Sequence, residues 1–364
     1  MSSLPTSSAE FNRLRRFRRL ALRQADAFLV THLPNILYLT GFAGGTAALV
    51  VTSQGAELFV PPLYREQVRE EVAAARVQVK RGDPLATAAA WLRRRRPHRL
   101  GFEDQRLTTG QLDALRRALG PTVELAGMSS PAEELRAVKD ASEIARIRSA
   151  VDLGARVFEQ VLPLVRPGVR ELDLAAEIEY RMKRGGARAP AFETIVASGP
   201  RSALPHGRAS LKRLARNEFI IFDLGAILCG YHSDMTRTVY LGTPSAREKK
   251  TYRAVRDALE RARATARAGV PAGRVDAAAR RVLTQRGYGR YFVHSTGHGL
   301  GLEIHEEPRL ARGVDTRLEA GNVITLEPGV YLPGQGGVRI EDVAVVHRHG
   351  VETLTPLSTE LLCL

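Results

Sequence analysis

The 364-residue sequence predicts an α/β N-terminal domain followed by an α+β C-terminal domain with a pseudo-two-fold internal repeat. Three observations predict it. Residues Arg13–Leu125 alternate helix-like and strand-like segments. Beyond Pro131 the succession helix, helix, hairpin occurs twice. Each of those two hairpins carries a pair of acids. The length is more than one core usually serves, so the chain divides into residues 1–130 and 131–364.

In the first domain, Met1–Glu10 is polar. The Arg-bearing stretch Arg13–Gln24 runs directly into strand-like Ala27–Val30, which makes it a domain helix rather than a targeting peptide. Further strands are expected at Thr46–Thr52, Glu57–Val60, Arg99–Phe102 and Thr122–Leu125, with helices at Tyr64–Ala75, Leu85–Arg94 and Thr108–Leu119. Gly41-Phe42-Ala43-Gly44-Gly45 lacks the glycine spacing of a phosphate-binding turn, so this domain reads as architectural. Ser130, Pro131 and Glu133 have the spacing of a helix start with a capping box, which places the boundary near Gly127–Pro131.

In the second domain, helices Ala141–Leu164 and Leu172–Arg184 precede hairpin Glu218–Tyr240. Helices Ala246–Ala268 and Val275–Arg286 precede hairpin Val323–Val346. Gly185-Gly186 and Gly287 stop the second helix of each half.

The net charge of +15 comes mostly from arginines interspersed with acids along helical stretches such as Arg247–Arg267. The one dense run, Arg93–Arg96, has no interleaved aromatics, and aromatics are 6% of the chain, so specific nucleic-acid binding is not expected. No apolar run approaches the roughly 20 residues of a membrane helix. Two cysteines, Cys229 and Cys363, make neither a disulfide framework nor a thiolate metal site, which fits a reducing cytoplasm.

The acids carry the chemistry. Asp223 and Asp234 flank a turn at Cys229–Gly230 and are expected to face each other across a regular hairpin. Glu327 and Glu341 flank the Pro333-Gly334-Gln335-Gly336-Gly337 loop in the same way. Asp223 follows the apolar run Phe219–Phe222 and Glu327 follows Val323–Leu326, so both are headed for burial, where an acid needs a partner or a cation. Like charges about 5 Å apart repel, so each pair calls for a cation between its members. His298, in the glycine-rich segment His294–Gly301, lies between the hairpins and adds an imidazole. Four carboxylates and one imidazole form a hard donor set suited to Mn²⁺ or Co²⁺, and four acids balance two divalent ions. Two such ions would ionise a bridging water at neutral pH.

These residues resemble the metallopeptidases of the pita-bread fold, in the aminopeptidase P and prolidase branch. The matching motifs are Ile221–Gly225 with Ser233–Thr238, Thr296–Gly301 running to His305-Glu306, Leu326–Gly329, and Gly337–Asp342. Pro34–Phe42 is similar to that branch's creatinase-like N-terminal domain. The resemblance implies that Asp223, Asp234, His298, Glu327 and Glu341 hold two divalent metal ions, Mn²⁺ foremost with Co²⁺ or Zn²⁺ as alternatives, and that Asp234 and Glu341 bridge them. It implies that His206 meets the substrate, that His305 binds near the scissile peptide, and that Arg339 belongs to a proline-side network, with His294 supporting the site. It also implies a homodimer.

Glu327 is the expected proton shuttle, with His305 and His206 as donors to the oxyanion or the leaving nitrogen. The substrate implied is a peptide with proline at its second position. The short chain and compact N-terminal domain favour the aminopeptidase P type. The alternative is an Xaa-Pro dipeptidase (prolidase), and the reading of another class is a non-catalytic pita-bread module that binds peptides or polyanions.

Overall fold

Six strands in the first unit of the computed structural model form one mixed sheet in the order β4-β3-β2-β1-β5-β6. They are β1 (Ala27–Val30), β2 (Ala48–Thr52), β3 (Gly55–Val60), β4 (Arg76–Val79), β5 (Arg99–Glu103) and β6 (Glu124–Met128), interleaved with helices α1 (Ser8–Ala21), α2 (Leu33–Thr40), α3 (Arg65–Glu71), α4 (Pro84–Arg95), α5 (Thr109–Leu119) and α6 (Pro131–Ala137). The structure describes residues 8–364, so the opening of the polar segment Met1–Glu10 lies outside the described residues.

Helices α4 and α5 set Ala88, Trp91, Leu92, Leu115 and Leu119 against Leu29, Val50, Phe59 and Leu100 of the sheet. Helix α1 buries Leu14, Phe17 and Ala21, which its period places on one face, and Phe17 meets Phe28 edge-on at 5.4 Å. Two elements go beyond the sequence expectation. Helix α2 starts with Pro34 in its first turn, and its apolar content imitates a strand. Strand β4 is short and half-exposed, paired only with β3 on the sheet edge.

The chain divides between Arg136 and Ala137, whereas the sequence reading drew the line before Pro131. Helix α6 holds to the first unit by hydrogen bonds: Arg136 Nη1 donates to Asn35 Oδ1 at 2.6 Å and Tyr38 OH donates to Leu135 O at 3.3 Å. Ser130 Oγ donates to buried Glu103, and Glu133 accepts from Arg106.

The second unit repeats one plan. Its first half has α7 (Ala141–Val161), α8 (Glu171–Arg184), β7 (Ala189–Pro190), β8 (Ile195–Ser198), β9 (Glu218–Leu224), β10 (Ala226–Leu228), β11 (Tyr231–His232) and β12 (Met235–Leu241). Its second half has α9 (Ala246–Thr265), α10 (Ala272–Gln285), β13 (Gly297–Gly299), β14 (Glu306–Leu310), β15 (Val323–Leu326), β16 (Gly329–Leu332), β17 (Gly336–Arg339), β18 (Asp342–Val346) and β19 (Val351–Thr353), and β20 (Leu362–Cys363) returns beside β12. The first helix of each half opens with a capping box, Asp140 with Glu143 on α7 and Ser245 with Glu248 on α9.

The strand period explains where the acids go. In the first half Ile220, Phe222, Leu224 and Val239 pack with α7 and α8, so Asp223 and Thr236 point from the opposite face. In the second half Ile324, Leu326, Val338, Ile340 and Ala344 pack with α9 and α10, which turns Glu327, Arg339 and Glu341 the other way. Each sheet is therefore greasy towards its helices and acidic towards the site.

Candidate metal centre

The turn at Cys229-Gly230 has positive φ at both residues, 52° and 84°, the two-residue form whose twist matches a hairpin. This sets the register. Asp223 opposes Thr236 rather than Asp234, and the same register puts Asp234 across from Gly225. The expected direct opposition of the two aspartates is thus corrected, because the turn lies one position past their midpoint. They are diagonal neighbours on one face, still within side-chain reach. In the other hairpin, Leu326 pairs with Asp342 and Gly329 with Arg339, which leaves Glu327 and Glu341 at opposed positions, as expected.

His298 lies on β13, where glycines admit close strand packing. A Cβ on Gly297 would lie 2.0 Å from Thr325 O. The His298 backbone N–H donates to Thr325 Oγ1 at 3.1 Å. Its Nδ1 sits 2.9 Å from Gly299 O, a group that only accepts, so Nδ1 carries the proton and the Nε2 lone pair faces the acids. Nε2 is 3.6 Å from Asp234 Oδ2 and 3.7 Å from Glu327 Oε1. Asp234, His298 and Glu341 each offer a ligand atom, all within 4.8 Å of one another.

Burial and mutual repulsion show in the electrostatics. Desolvation and the neighbouring acids, Glu341 first, push the Asp234 carboxyl well above the usual range. Desolvation, then Glu327 and Asp223, do the same to Glu341. Burial and Asp223 push Glu327 up to about 8. Burial holds His298 down at about 4, so its imidazole is neutral at physiological pH.

One cation answers these acids. Arg339 donates from Nη2 to Asp223 Oδ2 at 2.5 Å, from Nη1 to Tyr331 OH at 2.7 Å and from Nε to Thr236 Oγ1 at 3.0 Å. Thr236 Oγ1 in turn donates to Glu341 Oε2 at 2.8 Å. Burial works against the Arg339 charge, but Tyr331, Asp223 and Glu327 hold it firmly protonated. Asp223 Oδ1 and Glu341 Oε1 remain buried with no hydrogen-bond partner among the described residues. Buried carboxylate oxygens left bare in this way, beside two further acids and an imidazole lone pair, fit divalent cations.

Around this cluster, His305 stacks edge-on to His298 at 4.3 Å between ring centroids. Its pKa is lowered first by partial burial and then by the charges of His206 and Arg309. His206 is exposed, and its charge also bears on His294. His294 Nδ1 lies 2.8 Å from Ser295 O, so its Nε2 accepts from Tyr331 OH at 2.8 Å. The structure thus brings together all five acid and imidazole positions, with Arg339, His305, His206 and His294 beside them.

Sequence reasoning did not single out Tyr331, Thr236, Arg309 or the base beneath the site. Tyr331 alternates with Gly329 on the same face as Arg339, a period-2 signal available in the sequence. The base is Arg237, which donates to Thr236 O and Glu341 O and pairs with Asp342 at 2.7 Å, so one guanidinium braces both hairpins from behind.

Residues 145–348 match metallopeptidase family M24, and residues 13–138 match the creatinase/prolidase N-terminal domain. The chain is 38% identical over 340 residues to the Xaa-Pro dipeptidase of Pyrococcus horikoshii, covering 93% of this chain and 94% of that one. Among solved structures, it is similar to an Xaa-Pro dipeptidase from Bacillus anthracis, with TM-score 0.92, 38% identity and coverage of 98% and 99%. It is also similar to an X-Pro aminopeptidase from Thermotoga maritima, with TM-score 0.89, 35% identity and coverage of 96% and 100%.

Proposed function

Because the chain belongs to metallopeptidase family M24, with a creatinase/prolidase N-terminal domain and the pita-bread fold, we propose that it is an Xaa-Pro dipeptidase. The observation that carries the metal-dependent part is the pair of bare, buried oxygens, Asp223 Oδ1 and Glu341 Oε1, in the cluster with Asp234, Glu327 and His298. These five residues would hold two divalent cations, Mn²⁺ foremost and Co²⁺ or Zn²⁺ as alternatives. The relatives' names support the dipeptidase type over the aminopeptidase P type that chain length had favoured, since full-length relatives at 37–38% identity carry it.

A dipeptidase must also bind the free carboxylate of its proline. Arg309 supplies an exposed cation whose charge is felt at His305, on the rim of the site. Two free cysteines agree with a cytoplasmic setting, and the homodimer implied by the family resemblance completes the reading.

Bound divalent cations supply Lewis acidity at the scissile carbonyl and ready ionisation of water. The protein's own residues do the rest. His298, fixed through Nδ1, presents only its lone pair to the centre. Arg339 fixes Asp223 and, through Thr236, Glu341, so the acids are oriented before substrate arrives. Glu327 is the carboxylate that takes a proton from the attacking water and returns it to the leaving proline nitrogen as the C–N bond breaks. His305 and His206 donate at the rim, to the developing oxyanion or to that nitrogen. Proline has no N–H and a fixed ring, so recognition rests on shape and on its carboxylate rather than on a backbone donor.

The test compares hydrolysis of Xaa-Pro dipeptides with Xaa-Pro-Xaa tripeptides, before and after chelation and Mn²⁺ replenishment. Metal-dependent cleavage confined to dipeptides is expected. Preferential cleavage of tripeptides returns the aminopeptidase P reading, and cleavage that survives verified metal removal overturns both.

A further inference from the structure

The loop that carries His206 begins and ends on one buried carboxylate. Glu171 is the first residue of α8 and is fully buried. Its Oε1 accepts from the backbone N–H and the hydroxyl of Ser198, both at 2.8 Å, immediately before the loop. Its Oε2 accepts from Arg201 Nε at 3.0 Å and, at the far end, from the backbone N–H and hydroxyl of Ser210 at 3.1 and 2.6 Å. Arg201 reaches across to donate from Nη2 to Arg208 O at 2.5 Å.

The entry to the loop is equally constrained. Gly199 has φ 56°, and a Cβ there would lie 2.3 Å from Glu218 Oε2. Lys212 Nζ joins Ser198 Oγ to Glu218 at 2.7 Å each. The inner side of the loop rests on the site hairpin, where Gly337 N donates to Ser202 Oγ at 2.8 Å and Arg339 Nη1 donates to Pro205 O at 3.1 Å.

A fully enclosed acid is costly even when satisfied, and an apolar side chain would fill the same space without that cost. Five donors on one carboxylate accomplish something packing does not: they fix both ends of the loop at one point. The His206 imidazole is exposed and makes no hydrogen bond of its own among the described residues, so its position is inherited from the loop backbone. We infer that Glu171 is a positioning residue that acts through His206, closing the 199–210 loop so that this imidazole faces the cleft. The inference rests on the proposed peptidase reading for its effect on rate.

Two measurements on the metal-loaded full chain test it, with metal content checked for every variant. The first is amide hydrogen exchange in wild type and Glu171→Gln. Residues 199–210 should exchange about tenfold faster in the variant, with β9 and β12 unchanged, since charge-assisted bonds close the loop. Unaltered exchange in the loop overturns the inference.

The second is a cycle of kcat/KM on Ala-Pro with Glu171→Gln, His206→Ala and the double variant. Glu171→Gln should lower kcat/KM about tenfold alone and have no further effect once His206 is removed. A full additional loss in the His206→Ala background overturns action through His206. If Glu171→Gln does not fold, Ser210→Ala, which removes one bond at the loop's far end, is expected to give smaller shifts of the same sign in both measurements. If the wild type cleaves no Xaa-Pro dipeptide, the functional reading fails, and the exchange data still decide whether Glu171 closes the loop.

Discussion

Arg339 and Asp223 form a buried ion pair, Nη2 to Oδ2 at 2.5 Å, that occupies one carboxylate oxygen and leaves the other bare. The pair orients Asp223 without neutralising the rest of the cluster. A lysine keeps the charge but loses the planar fork that also reaches Tyr331, Thr236 and Pro205. Arg339→Lys should lower kcat/KM on Xaa-Pro substrates about a hundredfold, the scale of losing two charge-assisted hydrogen bonds. A change under about threefold would remove Arg339 from the mechanism.

Thr236 transmits that orientation to the second hairpin, accepting from Arg339 Nε and donating to Glu341 Oε2. Thr236→Val keeps the shape and deletes the hydroxyl. Affinity for Mn²⁺ should fall about 10- to 100-fold by calorimetric titration, the usual scale for a lost partner of a metal-binding group. Equal affinity would show that Glu341 needs no such support.

Behind the site, Asp342 is 1% exposed at its side chain and takes Arg237 on one oxygen and Arg263 on the other. Removing its charge leaves an enclosed guanidinium without its counter-ion. Asp342→Asn should destabilise the protein by about 3 kcal/mol or more, read from the denaturant midpoint. A loss below about 1 kcal/mol would mean that water replaces the pair.

His294 is held near 4 by burial first. The charges of Arg339, His206 and Arg280 add to this, and Tyr331 donates to its neutral ring. Its folded pKa lies below its unfolded value near 6.5, so the unfolded chain binds the extra proton between these limits. Stability from this group is therefore full above about pH 6.5 and is lost as pH falls towards 4, to an upper limit of about 3 kcal/mol. In His294→Gln that stretch of the acid limb should flatten in thermal melts, and an unchanged limb would assign it to other groups.

Arg309 offers a readout of substrate length. If it meets the free carboxylate of proline, Arg309→Met should cut dipeptide hydrolysis about tenfold or more while barely altering residual cleavage of C-terminally amidated substrate. Equal losses on both would place Arg309 elsewhere in the reaction.

Much of this was legible in the sequence, because apolar runs ending in acids specify buried carboxylates, and strand period assigns the face. The helix pairs, both site hairpins and the Glu327–Glu341 opposition follow from that pattern. The Asp223–Asp234 register was misread because hairpin register depends on where the turn is centred, and a shift of one position moves partners by two. Helix α2 escaped notice because its apolar content resembles a strand, and only its tertiary setting decides. Tyr331 announces itself only by its strand period, whereas Thr236 and Arg237 take their roles from contacts across the two halves of the repeat, which local pattern does not display.

The bare oxygens on Asp223 and Glu341 carry a consequence for the protein's supply in the cell. With four acids enclosed, folding without cations forces some of them to hold protons they would shed in water. Ion loading and folding are thus a single coupled equilibrium, in which cation at about a hundred times its dissociation constant adds about 2.7 kcal/mol to the folded form. Scarcity of the ion would then thin the population of intact molecules as well as silence them, and the melting temperature would serve as a gauge of metal availability.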